Sequence, residues 1–155
     1  MSMRGFAVPF NGKKATISRS VIIWGAVAAL LAPQAAYATP PVGVSGQNIT
    51  KVTALGTEYI VRQITIAPGG STGWHWHNGT LYVRVVRGTL THTTYDCVTT
   101  RNYGAGRNFV EPSGSRFVHI GRNLGETPVV LQVLYVNPQG APLAQDVPNP
   151  GCPFQ

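Results

Sequence analysis

Two histidines one residue apart, His75 and His77, stand in the run Gly69-Gly-Ser-Thr-Gly-Trp-His-Trp-His77. Along a β-strand successive side chains alternate faces, so this pair converges on one side while Trp74 and Trp76 turn to the other. Neutral imidazole is the commonest metal-binding side chain, and a converging pair is half of a site. A third histidine, His119, follows the turn-like run Glu111-Pro-Ser-Gly114. Three histidines from neighbouring strands can hold one divalent ion, with metal–nitrogen bonds of roughly 2.0–2.2 Å.

The elements that must position these residues read as strands throughout. Residues 59–66, 81–86, 89–95, 109–111, 117–120 and 129–136 are rich in β-branched and aromatic side chains and are punctuated by Gly, Pro and Asn-Gly turn signals. No window shows sustained helical periodicity. Many short strands at turn-punctuated spacing predict an all-β sandwich or barrel.

On these residues the chain resembles the cupins. Gly69, His75, His77 and Gly88 are in register with the first cupin motif, but Leu81 occupies the slot of its glutamate. Gly106, Pro112, Gly114, His119 and Asn123 resemble the second motif, with four residues instead of two between Gly114 and His119. The resemblance covers about residues 55–137 and implies a jelly-roll β-barrel, the cupin fold, with the metal inside the barrel mouth.

Leu81 cannot coordinate an ion, so the expected ligand set is His75, His77 and His119, three neutral imidazoles that leave the ion its full charge and open positions. Two residues are candidates for a fourth ligand. His92 shares the strand parity of the inward-facing Leu90, and Glu111 lies beside the Pro112 turn, where its expected place is the surface or behind the ligands. Spacing does not choose among Fe, Mn, Zn, Ni and Cu. Some thiol and diketone dioxygenases of the superfamily use three-histidine iron, so the resemblance implies a dioxygenase-like oxidoreductase acting on a small organic substrate, with Fe as its metal. The alternative is a non-catalytic module holding a metal or small ligand.

The first part of the chain reads as a targeting segment. Arg4, Lys13, Lys14 and Arg19 precede an apolar run at 21–32, and an Ala-x-Ala signature ends at Ala38. Twelve unbroken apolar residues fall short of the roughly 20 needed to span a bilayer. The expected organisation is therefore a signal peptide at 1–38, an extended leader at 39–54, the barrel at 55–137 and a tail at 138–155, with the product exported to a periplasmic or extracellular space. Removing the signal takes 4 of the 12 basic residues and none of the 5 acidic ones, which lowers the formal charge from +7 to +3. The remaining cations are scattered, which argues against a nucleic-acid partner. Cys97 and Cys152, an even number in an exported chain, predict one disulfide tying the tail to the loop around Asp96. Trp74, Trp76 and Tyr82 are the candidates for an outer face buried in a homodimer.

Overall fold

Period-two burial is cleanest along Thr80–Arg87, where Leu81, Val83 and Val85 are buried and Tyr82, Arg84 and Val86 are exposed. The same logic sets the other strands of the computed structural model, which describes Gly5, Gly12 and residues 37–155. The expected signal segment lies outside the described residues except for those two glycines, Tyr37 and Ala38. In chain order the strands are β1 (Val42–Ala54), β2 (Thr57–Ser71), β3 (His75–Trp76), β4 (Thr80–Arg87), β5 (Thr89–Thr94), β6 (Thr100–Gly104), β7 (Asn108–Glu111), β8 (His119–Arg122), β9 (Val129–Pro138) and β10 (Gln145–Asp146). A 3-10 turn at Ser115–Phe117 precedes β8. Among the described residues no helix is long and apolar enough to cross a membrane.

All pairings are antiparallel and fall into two halves. One runs β1-β2-β9-β4-β7 and the other β10-β3-β8-β5-β6, joined where Ser71 of β2 pairs with Arg122 of β8. The result is the nearly closed, cupin-like jelly roll that the motifs imply. Most of the main core comes from the first half: Ile60, Ile66, Leu81, Val83, Val85, Val129, Leu131 and Val133 are all buried, and Leu90 of β5 joins them from the other side. Burial of each such side chain contributes on the order of 1.5–3 kcal/mol before the cost of ordering the chain.

The segment expected as a leader is a strand of the sheet. β1 pairs with β2 from Val44↔Ile66 to Ala54↔Thr57, and the connecting Leu55-Gly56 has positive φ at both residues, as a tight hairpin turn requires. Val42, Val44, Ile49 and Val52 carried the strand tendency that the Pro, Gly and Ser content masked. The strand stays almost entirely exposed, with only Val44 packing on the core.

The tail is also structured. β10 pairs with β3, and the predicted disulfide joins Cys97 to Cys152. Cys152 belongs to a second, smaller core with Trp74 and Ile120, against which Phe154 and Val147 pack. Trp74 is fully buried and stacks on Phe154 with ring centroids 6.0 Å apart. Its expected place on an exposed face is therefore corrected: the side of β3 turned away from the histidines is covered by the protein's own C-terminus. Tyr82, by contrast, does point outward.

Candidate metal centre

β3 and β8 are brought together by a single pairing, His75↔His119, which sets two imidazoles side by side. His77 follows one strand period beyond His75, and all three histidines are buried. Their rings form a close triangle, with centroid separations of 4.8 Å (His75–His77), 4.4 Å (His75–His119) and 5.2 Å (His77–His119). Each ring is held by a backbone carbonyl that accepts from Nδ1: Gly73 for His75 at 2.9 Å, Leu143 for His77 at 2.6 Å and Phe117 for His119 at 2.8 Å. Fixing the proton on Nδ1 leaves Nε2 as a lone pair, the form in which imidazole binds a metal.

The local chain is shaped for this. Gly73 has positive φ, and a side chain there would collide with the backbone of Thr39, whose hydroxyl accepts from Trp74 N at 2.6 Å. Gly114 N donates to His77 O at 2.8 Å, tying the Pro112 turn to the first histidine pair. Asn123, matched to the second motif, is not in the cluster. Its side-chain amide donates to the carbonyls of Ile66 and Thr127, and so it fixes the corner after β8.

Glu111 is where the structure departs most from expectation. It is not a surface carboxylate: its side chain is 12% exposed and its oxygens lie 3.1 Å from His77 Nε2, 3.4 Å from His119 Nε2 and 3.5 Å from His92 Nε2. The β4–β7 register puts Glu111 directly opposite Leu81, and the β4–β9 register puts Tyr135 on the other flank of Leu81. The carboxylate missing from β4 thus reappears one strand over. It was traceable in part, since Glu111 shares strand parity with Phe109, which packs on the core while Val110 is exposed.

His92 also joins the cluster, stacked on His119 at 4.8 Å and edge-on to Phe109 at 5.5 Å. Among the described residues no backbone carbonyl holds its Nδ1, so it is less firmly oriented than the other three. Two overlapping donor groups result, His75/His77/His119 and His92/Glu111/His119, and within each the ligand atoms lie within 4.8 Å of one another.

These residues fit a divalent metal. Nε2 of His77, His92 and His119 is buried yet has no hydrogen-bond partner, although Glu111 is close by. In their neutral form His77 and His119 carry the proton on Nδ1, so Nε2 has no hydrogen to give the carboxylate and two acceptors face each other. Donors converging on a common point look like this: with bonds of about 2.1 Å, adjacent ligands of an octahedral ion are roughly 3.0 Å apart. Orphaned buried polar atoms are otherwise rare and costly.

In the metal-free cluster, electrostatics keeps His75 neutral but favours a proton on His119, which an ion would displace. Burial, reinforced by His119 and His77, lowers the His75 pKa to about 3, which keeps this ligand neutral. Burial pushes Glu111 up, but the His119 charge and the approach of His119, His77 and His92 more than reverse it, so its carboxyl sits well below the usual range. His119 is moved the opposite way: burial lowers it, and Glu111 more than restores the charged form. Burial and then Glu111 raise the Tyr135 phenol, which stays protonated at neutral pH. Behind the ligands lies an inner cavity of about 40 Å³, walled by His75, His77, Glu111 and His119 and by apolar residues such as Leu81, Leu90 and Leu131.

Barrel and site together define a single-domain fold of the cupin superfamily with a histidine-rich candidate metal centre. Residues 62–136 match the family model of the Cupin domain. No curated protein matches the chain in sequence. Among solved structures, the polyketide cyclase RemF from Streptomyces resistomycificus is similar at 18% identity and TM-score 0.58, over 70% of this chain and 75% of that one. A cupin 2 conserved barrel domain protein from Rhodopseudomonas palustris is similar at 18% identity and TM-score 0.55, over 68% of each chain. A recombinant oxalate oxidase in complex with glycolate is similar at 25% identity and TM-score 0.52, over 63% of this chain and 52% of that one.

Proposed function

We propose that the protein is a metal-dependent oxidoreductase of the dioxygenase kind, acting on a small organic substrate, with His75, His77, His119 and Glu111 as the ligands of one divalent transition metal. The observation that carries this reading is the convergence on a buried carboxylate of the orphaned Nε2 atoms of His77, His92 and His119, beside His75, with the His75, His77 and His119 rings locked by backbone carbonyls. When bound, such a metal would supply a Lewis-acidic, redox-capable centre at which an organic chelate and dioxygen can meet. The chain's own part is to orient the ligands, to exclude water with the Leu81, Leu90 and Leu131 wall, and to offset the ion's charge through Glu111. His92, close to Glu111 and lacking a backbone anchor, is suited to hold or move a proton at Nε2. Likeness to the oxalate oxidase supports oxidation of a small acid. Iron is the metal this reading favours.

A second reading, a non-catalytic holder of a metal or small ligand, is favoured by the inner cavity, whose roughly 40 Å³ has no room for an organic substrate. Elemental analysis of purified protein, followed by O₂ uptake by the iron-loaded form across thiols, diketones and small acids, separates the two. Stoichiometric metal with substrate-dependent uptake supports the enzyme; stoichiometric metal without uptake supports the holder. Export belongs to the same proposal, supported by the disulfide, since such bonds persist in oxidising compartments. N-terminal sequencing of the exported form should begin at Thr39. Homodimer formation through the Tyr82 face is likewise proposed, and light scattering showing a monomer at micromolar concentration would dismiss it.

A further inference from the structure

The ligand cluster stands as a wall between two cavities, because Glu111 and His119 line both. The inner one is cramped and apolar. The outer one, about 170 Å³, is bounded by Tyr95, Val110, Phe117 and Val118, and among the described residues its one guanidinium is that of the exposed Arg116. The Arg116 guanidinium carbon lies 4.9 Å from the centroid of the Phe117 ring, and no carboxylate among the described residues pairs with it. The one acid in the chamber is Glu111, whose oxygens are turned toward His77, His92 and His119.

We infer that this outer chamber binds a small monocarboxylate with an apolar body, its carboxylate on Arg116 and its far end toward Glu111 and His119. The inference rests on the reading of the cluster as the reactive centre. Guanidinium offers a planar pair of donors that matches a carboxylate, and stacking on Phe117 limits the orientations that must be frozen on binding. The apolar walls suit a hydrocarbon body, and a cavity of about 150 Å³ is enough for a benzene ring. Orientation follows from charge. Arg116 carries the chamber's guanidinium, so it takes the carboxylate and leaves the apolar body between Val110, Phe117 and Val118.

The test uses benzoate and its neutral isostere benzamide, titrated calorimetrically into the full chain, with metal content measured on the same samples. Benzoate should bind at least about tenfold more tightly than benzamide, a difference worth ~1.4 kcal/mol. Arg116→Gln should erase that preference while leaving benzamide affinity and metal content unchanged, and Arg116→Lys should restore part of it. Equal binding of the two ligands, an unaltered preference in Arg116→Gln, or no binding of either at millimolar concentration overturns the inference. Stoichiometric metal with no benzoate preference sinks the chamber alone and leaves the metal reading intact. A preserved, Arg116-dependent preference in protein that takes up no metal upholds the chamber and sinks the metal reading.

Discussion

The two halves of the barrel divide labour unevenly. The half built from β1, β2, β9, β4 and β7 holds most of the apolar core and contributes one charged group to the site, Glu111. The half built from β10, β3, β8, β5 and β6 contributes all four histidines, and behind β3 and β8 it packs on the small Trp74–Ile120–Cys152 cluster. That cluster is completed by the C-terminal tail. Phe154 covers Trp74, the Arg122 guanidinium lies 3.7 Å from the Phe154 ring centroid, Leu143 O holds His77, and Val147 N donates to Trp74 O. A strand that spends its inward positions on ligands cannot also supply core. Its packing has to be found on the other face, and the tail provides it.

The sharpest way to break this contrast is to hollow out each half in turn. Trp74→Ala should cost about 3–5 kcal/mol and lower metal occupancy, because the removed ring backs the strand that carries His75 and His77. Ile66→Ala, in the opposite half and away from the cavity beside the ligands, should cost about 2–5 kcal/mol in thermal unfolding while metal content per folded molecule stays the same. If the two variants lose metal equally, the halves are not distinct in this sense.

Opening the Cys97–Cys152 bond tests the tail's part. The bond closes 55 residues of sequence separation, and Cys97→Ser with Cys152→Ser should cost about 2–4 kcal/mol in chemical denaturation. Hydrogen exchange should quicken first around β3 and β8 and not along β9. Uniform loosening would mean that the tail is not a local brace for the histidine-bearing strands.

The contrast also has a signature in pH. In metal-free protein His75 stays neutral down to about 3, whereas in the unfolded chain it takes up a proton near its ordinary 6.5. The unfolded state therefore binds more protons in this window, and stability should fall as pH drops from 6.5 toward 3. Glu111, lowered in the fold, adds to the loss below its ordinary 4.5. His119, raised in the fold, acts oppositely and contributes stability that is lost as pH rises above 6.5. Melting temperatures of metal-free wild type and His75→Gln across pH 3.5–6.5 should diverge, the wild type falling more steeply (window set by the ordinary and lowered His75 values). Parallel profiles would show that His75 carries no such burden.

Much of this was legible in the sequence, and what was missed has physical causes. Alternation identified the strands, the one-residue spacing placed His75 and His77 on one face, and parity with Leu90 turned His92 inward. Two cysteines in a chain with a targeting signature announced their own pairing. Glu111 was half visible. Its parity with Phe109 is local, but the fact that it stands opposite Leu81 is a matter of register between strands about 30 residues apart, which no local pattern encodes. Trp74 was assigned correctly away from the metal. That this side is covered depends on Phe154, 80 residues further on. β1 was obscured by its own composition, since glycine and serine lower strand tendency although pairing with β2 overrides it.

The central claim is that the carboxylate absent from Leu81 is supplied by Glu111 across the strand pair. Metal content of Glu111→Leu, set against that of Leu81→Glu/Glu111→Leu, tests it most directly, with circular dichroism confirming that both remain folded. The single variant should lose metal by more than about tenfold in affinity, and the double variant, which returns the carboxylate to β4, should recover most of it. Stoichiometric metal in Glu111→Leu at wild-type affinity would contradict the account and leave the three histidines as the whole of the site.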